Sequence, residues 1–575
     1  MYASAPSTEL AWEKYYPSHI SWDHPLTPKP LYSFLDESVR KFPDRPAVDF
    51  MGRKFSYAEI GDLVERAAEG FRQLGVRKGA RVGICLPNCP YQVVSFYAIL
   101  KAGGVVVNFN PLYTPRELAS QARDAGVDIM VTIDVEAVYP KVRELLNDAT
   151  LKRVVVVRMQ DCLSSFKGML FSAFKRKEIS HIPNDMQHVP FSKLISYGKL
   201  EHLEPVVPEH DLAVLQYTGG TTGLPKGAML THGNLAANTQ QIMAWMPDLR
   251  EGEEKILGVL PFFHVFAMSV VLNLGVAVGA EMILLPRFEL DQVLKTLHKK
   301  RPTLFPGVPT IYTAINGAKD LKKYDLSSIS YCISGGAPLP VEVKREFERL
   351  TGCVLVEGYG LTEASPVLTC NPLNNRSADK AGAIGLPVPG TRIEMRSLED
   401  PAQVVRVGEK GELCARGPQV MRGYWERPEE NERVFVDGWL RTADVGYMDE
   451  DGYIFLVDRI KDMILCSGFN VYPRVIEEAI YLHPAVAQVA VIGVPDAYRG
   501  ESPKAFIKLR EGASVTEKEL TDFLEEKISR IEMPRFFEFR SELPVTMIGK
   551  LSKKALQEEE EAKRASGEAV TKASA

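Results

Sequence analysis

The sequence has little cysteine and little net charge, and each shortage argues against a class of protein. Its 8 cysteines among 575 residues are scattered without a pairing order, which is not the pattern of a disulfide framework. The closest two, Cys85 and Cys89, flank a proline-containing turn without the further ligands of a metal site. We therefore predict reduced thiols and a cytoplasmic location. A net charge of −5 gives no general attraction for nucleic acid.

The N-terminus also lacks a secretory signal, because no basic region is followed by an apolar run. One internal stretch, 256–280, contains no Asp, Glu, Lys or Arg and is long enough to cross a bilayer. It holds Pro261, His264 and Asn273, however, and charged sequence begins directly on both sides. We predict a buried strand, turn and helix of an α/β core there rather than a membrane span.

The length of the chain exceeds what one ordinary hydrophobic core supports, so at least two domains are expected. Up to about residue 455, apolar strand-like runs alternate with longer amphipathic segments, as in "ARVGICL" followed by "YQVVSFYAILKAGGVVVNF". That alternation predicts an α/β fold with parallel sheets covered by helices. After Gly411 the short strands predict a β-rich subdomain, in which Asp451 and Gly452 close a hairpin.

A compact α+β unit is predicted beyond Arg459. Helices are expected at "VIEEAIYLHP" and "EKELTDFLEEKI", and strands at "VAQVAVIGV", "KAFIKL" and "RFFEFRSEL". We expect a large N-terminal domain over 1–458 and a small, mobile C-terminal domain over 459–555. The last segment, 556–575, holds almost nothing apolar, which predicts a flexible tail.

An insertion over 161–178 stands apart from this pattern. Its apolar residues recur every three or four positions, and a run of basic residues follows them. An amphipathic helix with a basic end fits an anionic membrane surface, while a helix packed on its own domain is the alternative. The apolar residues are Leu163, Phe166, Leu170 and Phe174, and the basic ones are Lys175, Arg176 and Lys177.

The stretch "LQYTGGTTGLPKGAMLTHGNL", residues 215–235, is rich in groups that bind phosphate. It is not an ordinary P-loop, whose pattern is G-x-x-x-x-G-K-[ST]. Counted from Gly220, Pro225 stands where that pattern has its second glycine, and Gly227 stands where it has Ser or Thr. Glycines still free backbone amides to approach an anion, hydroxyls add donors and Lys226 adds a cation. The glycines are Gly219, Gly220 and Gly223, and the hydroxyls belong to Thr218, Thr221 and Thr222.

This loop resembles the signature of the adenylate-forming superfamily, which includes acyl-CoA synthetases, aryl-CoA ligases, luciferases and peptide-synthetase adenylation domains. Further motifs follow in the family's order from about Leu31 to Leu556. They are "LPFFHVFAM", "SGGAPL", "GYGLTEASP", "GELCARGP", "GYWERPEE", the segment from "GWLRTADVG" to "VIEEAI", and "PVTMIGKLSKKAL". With Gly219 where many relatives carry Ser, the loop looks most like that of bacterial long-chain fatty-acid CoA ligases.

The resemblance implies activation of a fatty acid by ATP to acyl-AMP and pyrophosphate, followed by acyl transfer to CoA. The first step joins two anions, so cations and hydrogen-bond donors must offset their repulsion. The implied catalytic residues are Thr218, Lys226, Glu363 and Lys550. Glu363 would be the ligand of Mg²⁺, and the ammonium of Lys550 would bridge the substrate carboxylate and the α-phosphate.

The resemblance also implies a nucleotide pocket and a hinge. Asp444 would accept the ribose hydroxyls, and Arg459 would add a ribose or phosphate contact. Lys461 is the implied hinge about which the small domain rotates, after which Gly468 would line the pantetheine tunnel. The remaining implied nucleotide contacts are Gly335, Gly336, Ala337, Tyr359, Gly360 and Thr362.

For the acyl group, His264 is implied as a gate or pocket wall, with a satisfied core histidine as the alternative. An apolar lining would favour an aliphatic tail, and its candidates are Met243, Trp245, Phe263, Val308 and Val367. A ligase for medium-chain or aryl acids stays open, as does an acyl-AMP ligase or nucleotide-binding protein without CoA transfer. The expected partners are fatty acid, ATP and CoA. Association with the inner face of an anionic membrane and formation of a homodimer stay open.

Overall fold

The computed structural model describes residues 10–218, 225–373, 380, 382–467, 469–496, 498–546 and 550–565. In these residues, helices cover sheets of seven, four, nine and five strands. The predicted α/β fold, with a large N-terminal part and a small C-terminal part, is confirmed.

The strands, in chain order, are β1 Pro46–Phe50, β2 Arg53–Ser56, β3 Arg81–Ile84, β4 Val105–Asn108, β5 Ile129–Ile133, β6 Arg153–Val157, β7 His188–Pro190, β8 Leu212–Thr218, β9 Lys226–Thr231, β10 Lys255–Gly258, β11 Glu281–Leu284, β12 Tyr331–Ser334, β13 Val354–Gly360, β14 Val367–Cys370, β15 Ala383–Pro387, β16 Arg392–Arg396, β17 Gly411–Arg416, β18 Phe435–Val436, β19 Trp439–Met448, β20 Ile454–Arg459, β21 Ile464–Cys466, β22 Phe469–Val471, β23 Val486–Asp496, β24 Gly500–Leu509 and β25 Phe536–Phe539.

The helices are α1 Ser33–Lys41, α2 Tyr57–Gln73, α3 Pro90–Lys101, α4 Pro115–Ala125, α5 Tyr139–Asn147, α6 Met159–Cys162, α7 Ser165–Phe174, α8 Phe191–Leu194, α9 His232–Trp245, α10 Val265–Ala267, α11 Leu274–Ala277, α12 Leu290–Lys300, α13 Pro309–Asn316, α14 Val341–Thr351, α15 Pro428–Val434, α16 Pro473–Tyr481, α17 Glu517–Glu525 and α18 Lys553–Ala565. A π-helical turn, Met268–Asn273, joins α10 to α11.

The seven-stranded sheet runs in the order β7-β6-β5-β3-β4-β8-β9. Its pairs are parallel except for β8 with β9, and helix α3 beside it is buried along its whole length. A sheet covered on both faces requires apolar strands such as β4, whose residues are all buried. Asn108 and Thr218 end β4 and β8, and such carboxyl ends are where α/β sheets bind ligands.

The stretch 256–280 forms β10, a turn, the π-helical segment and α11, so its predicted place in the α/β core is confirmed. Within the residues described here, none of the helices combines the length and apolarity that crossing a membrane requires.

The nine-stranded sheet begins with parallel β12 and β13 and continues with antiparallel strands. The predicted hairpin is confirmed as β19 and β20, joined by a turn in which Gly452 has a φ of 82°. A positive φ there favours glycine. The hairpin register sets Asp444 opposite Arg459.

The C-terminal part contains the five-stranded sheet with α16 and α17, as predicted, around a hydrophobic core of its own. The prediction of a flexible tail from residue 556 is wrong over 556–565, which continues α18. Leu556 is fully buried, and the carboxylate of Glu560 lies 2.9 Å from Lys504 Nζ. Buried Leu556 and several ion pairs anchor the helix, and a tail with so few apolar residues does not show that in its composition. Residues 566–575 lie outside the described residues.

Candidate active site

A cleft of about 2720 Å³ opens between the N-terminal sheets and the C-terminal part. Its wall includes the carboxyl ends of β4, β8 and β13, the β19–β20 hairpin, and residues of α16 and α18. All the residues predicted for catalysis and nucleotide binding that the structure describes line this one cleft.

The side of the cleft that is predicted to bind phosphates, the phosphate side, is a hairpin of β8 and β9. Thr218 ends β8 directly opposite Lys226, which begins β9. Lys226 Nζ lies 2.6 Å from Glu430 Oε2 on α15 and 5.3 Å from the centre of the Tyr424 ring. The residues that connect the two strands, Gly219, Gly220, Thr221, Thr222 and Gly223, lie outside the described residues.

Glu363 lies in a 3₁₀ turn, Thr362–Ala364, and faces the cleft beside Thr362. The phenol of Tyr424 donates a 2.6 Å hydrogen bond to its Oε1. Burial raises the pKa of Glu363, an effect that the Tyr424 hydrogen bond opposes. A half-buried carboxylate that faces a cleft is suited to bind a cation.

The nucleotide side is formed where β12 and β13 end. Gly335, Gly336 and Ala337 follow β12, while Tyr359 and Gly360 end β13, and all five line the cleft. Gly360 permits close contact between backbones, because a Cβ there would lie 1.8 Å from the carbonyl oxygen of Pro366. Gly336 has a φ of 82°, which also favours glycine.

Asp444 is held on both oxygens. Arg459 Nε donates to its Oδ1 at 3.0 Å, and the phenol of Tyr359 donates to its Oδ2 at 2.5 Å. The carboxylate of Asp444 raises the pKa of Arg459 despite burial. A carboxylate has about four lone-pair sites, so this orientation still leaves acceptor capacity for a ligand's hydroxyls.

Lys550 reaches the same cleft from the C-terminal part. A Cβ on Gly336 would lie 2.6 Å from its Cε, so the side chain crosses directly over that glycine. Burial lowers the pKa of Lys550 to about 8, with a further contribution from nearby Arg459 that Asp444 opposes. Among the residues that the structure describes, no carboxylate lies within 4.0 Å of its Nζ. The cleft therefore holds a half-buried cation without a bonded anion among the described residues.

His264 and Lys461 also line the cleft. His264 Nδ1 accepts a 3.2 Å hydrogen bond from the N–H of Phe266, and burial together with Lys550 lowers its pKa to about 3. Lys461 lies directly after β20, and burial lowers its pKa. Gly468 lies outside the described residues.

The predicted acyl lining is only partly brought together. Phe263 and Val367 line the cleft, and buried Val308 lies beside Gly336. Trp245 is instead part of the hydrophobic core, where its Nε1 donates to the carbonyl of Asn371 at 3.0 Å. The prediction for Trp245 is wrong, because α9 is covered on nearly every side and its aromatic residue packs inward. Met243 likewise packs against the core.

The sequence alone assigns no role to Tyr424 and Glu430, although both lie in the motif "GYWERPEE". They contact Glu363 and Lys226, respectively. The available signal was their position in a segment that resembles a family motif, but no residue spacing relates them to Glu363 or Lys226 before the chain is folded.

Two family models match the chain. The AMP-binding enzyme family matches residues 35–425, and the AMP-binding enzyme C-terminal domain matches residues 475–550. The long-chain-fatty-acid–CoA ligase of Bacillus subtilis (strain 168) is 45% identical over 558 residues, which are 96% of this chain and 98% of that protein. The protein of the same name from Escherichia coli O157:H7 is 38% identical over 95% of this chain and 98% of its own length.

Two solved structures are similar over most of the chain. ATP-bound MatB from Rhodopseudomonas palustris has a TM-score of 0.79 and 29% identity, covering 92% of this chain and 98% of its own. The anthranilate CoA ligase AuaEII in complex with anthranoyl-AMP has a TM-score of 0.83 and 26% identity, covering 94% and 99%. With its cleft, its two matched domains and these relatives, the chain belongs to the AMP-binding enzyme family.

Proposed function

We propose that this protein is a long-chain fatty-acid CoA ligase. The carboxylate of the acid attacks the α-phosphorus of ATP, the bond to the β-phosphate breaks, and acyl-AMP and pyrophosphate form. The thiol of CoA then attacks the acyl carbonyl, and AMP leaves. The observation that supports this most is the position of Lys550 over Gly336, since a cation without a bonded anion among the described residues suits a site where two anionic reactants meet.

The residues around Lys550 have different roles in the formation of acyl-AMP. Lys550 stabilises the negative charge that gathers between the fatty acid and the α-phosphate. Thr218 and Lys226, with the loop between them, hold the β- and γ-phosphates, and ATP would take Lys226 from Glu430. Asp444 and Arg459 hold the ribose, while Tyr359 and the glycines of β12 and β13 hold the base.

Glu363 fits the role of a magnesium ligand. Mg²⁺ binds through one or two carboxylates together with substrate phosphates, and the described residues contain no cluster of three or more Asp, Glu, His or Cys side chains that could hold a metal ion by themselves. Mg²⁺ bound there would neutralise phosphate charge. Thr362, beside it on the same turn, is placed to donate to the α-phosphate.

The second step needs Lys550 to leave, and we propose 1–458 and 459–555 as the two bodies that move. Lys461 follows the last strand of the first body, as a hinge would. Strands β21 and β22, which flank Gly468 in the sequence, present Leu465 and Phe469, which are 54% and 64% exposed. Such exposure supports a face that becomes covered when CoA binds and the small domain rotates.

The choice of acid follows from the relatives rather than from the cleft. The two ligases whose names specify long-chain fatty acids are 45% and 38% identical to this chain, whereas the anthranilate ligase is 26% identical. The test is AMP release with ATP, CoA and a panel of acids from acetate to oleate plus 4-coumarate. We expect the highest kcat/KM for acids of long chain length. A maximum at 4-coumarate or at medium length would assign the protein to the alternative class.

We further propose that α7 places the enzyme on the inner face of an anionic membrane. Leu163 is buried before the helix, but Phe166, Met169 and Phe174 are 67%, 64% and 81% exposed. The helix is attached through Phe171, which packs against the core, and through polar contacts such as the 2.6 Å hydrogen bond from Lys167 Nζ to the carbonyl of Met51. The side chains of Phe166, Met169 and Phe174 are therefore free to enter a lipid surface, and the basic run 175–177 follows them.

Vesicle sedimentation tests this location. Replacing Phe166 and Phe174 by serine should lower binding to phosphatidylglycerol vesicles several-fold without changing turnover of a water-soluble short acid. Met186→Ser is the matched control, since Met186 is 87% exposed outside this helix. Equal sedimentation of all three proteins would contradict the proposal, as would wild-type binding that is equally strong to phosphatidylcholine and therefore independent of charge.

A further inference from the structure

Tyr424 lies between the two charged groups that face the phosphates. Its phenol donates to Glu363 Oε1 at 2.6 Å, and its ring centre lies 5.3 Å from Lys226 Nζ. Only 8% of the residue is exposed. One side chain thus contacts both the carboxylate and the ammonium of the phosphate side, although nothing in the proposed reaction requires a phenol to react.

The backbone of Tyr424 is held in place from two directions. Its N–H donates to Asn431 Oδ1 at 2.6 Å, and Asn431 Nδ2 donates back to its carbonyl at 3.0 Å. Gly423, with a φ of 138°, makes room for this amide, because a Cβ there would lie 2.9 Å from Asn431 Oδ1. On the other side, the N–H of Met421 donates to the carbonyl of Glu363 at 2.8 Å. The phenol and the turn that carries Glu363 are therefore fixed to each other.

A carboxylate at the end of a glutamate side chain turns easily about its last bond. With Oε1 held by a hydrogen bond, the direction of Oε2 is set as well. We propose that Tyr424 is a positioning residue for adenylation, which orients the carboxylate of Glu363 towards the metal–nucleotide substrate. This rests on the proposed function, in which Glu363 serves the ATP-dependent step.

Tyr424→Phe removes the hydrogen bond and keeps the ring. The affinity of the full-length enzyme for Mn²⁺·ATP is read from the enhancement of water-proton relaxation, without any acid present. We expect about tenfold weaker binding, since a hydrogen bond to a charged group is lost. Acyl transfer from supplied acyl-AMP to CoA, which needs no ATP, should change less than twofold. Tyr97→Phe is the control, because it removes another buried phenol that donates to Asn273 Oδ1 at 3.0 Å.

A double variant separates positioning from general damage. If Tyr424 acts through Glu363, Tyr424→Phe should have no further effect on Mn²⁺·ATP binding in a Glu363→Gln background. Unchanged binding in the single variant would overturn the proposal, and so would an equal loss in both backgrounds. The proposed function fails differently, through absence of acid-dependent pyrophosphate exchange in the wild type, which the Mn²⁺ titration does not measure.

Discussion

The two sides of the cleft are held in different ways. Asp444 is fixed by Tyr359 and by Arg459 at the end of β20, and Glu363 by Tyr424, all on strands and turns outside the five-stranded sheet. Lys550 arrives from a loop between β25 and α18, where its backbone bonds to Thr546. Its side chain crosses over Gly336. In the proposed reaction, this wall of Asp444 and Glu363 with their partners is ready before substrate binds, while Lys550 belongs to the part that we propose withdraws.

The largest effect is expected from removing that cation. Lys550→Ala should lower single-turnover formation of acyl-AMP by about a thousandfold, the upper range for losing one charge-stabilising group. Thioester formation from supplied acyl-AMP should remain near the wild-type rate. Rapid-quench measurement of each half-reaction checks this, and an equal loss in both would remove the distinction between wall and mobile lysine.

A substitution in the wall should instead slow both half-reactions. Asp444→Ala removes the proposed ribose acceptor, which both half-reactions would use because the proposed reaction keeps the nucleotide bound throughout. We expect losses of roughly a hundredfold in each, as two hydrogen bonds to a charged group disappear. The same rapid-quench assays are used, and Asp437→Ala, which changes an exposed carboxylate, is the control. A defect confined to acyl-AMP formation would contradict this assignment.

A smaller effect is expected from a substitution at the contact between Gly336 and Lys550. Gly336→Ala puts a methyl group 2.6 Å from Lys550 Cε at a φ of 82°. We expect acyl-AMP formation to fall about tenfold from strain and displacement of the lysine, and thioester formation to fall less. Gly352→Ala is the control, since it has a similar φ of 78° and no atom within 4 Å of the added carbon. If the two variants behave alike, backbone strain alone explains the effect.

The smallest expected effect is a pH dependence of acyl-AMP formation, caused by deprotonation of Lys550. Burial lowers the pKa of Lys550 to about 8, so the ammonium is present below that pH and is lost above it. In the free enzyme, kcat/KM for acyl-AMP formation should therefore be half-maximal near pH 8 and fall about tenfold by pH 9. Acyl transfer to CoA should show no such fall. A profile for acyl-AMP formation that is flat to pH 10 would show that Lys550 keeps an ordinary pKa.

Much of this architecture could be predicted from the sequence because its signals are local. Apolar runs marked the strands, the Asp451-Gly452 turn marked the β19–β20 hairpin, and alternating patterns marked the C-terminal unit. The order of motifs also selected residues that the fold brings to one cleft.

The features that the sequence did not predict depend on contacts between residues that are distant in the chain. α18 is anchored by a pair of Glu560 with Lys504, Trp245 packs inward against Tyr16, and Tyr424 contacts Glu363. Each of these pairs is separated by many positions, so neither composition nor periodicity reports it. Only the fold decides which polar residue near a motif completes the site.

The measurement that tests the account most directly is a distance across the cleft. Lys319 Nζ and Glu511 Oε1 lie 3.1 Å apart between the two parts, and both side chains are more than 80% exposed. Lys319→Cys with Glu511→Cys can carry spin labels, since all eight native cysteines are buried. With ATP we predict one short distance, and with CoA and a non-hydrolysable acyl-AMP analogue a longer one in most molecules. The same short distance under both conditions would contradict the proposal that Lys550 acts in acyl-AMP formation and moves away for acyl transfer to CoA.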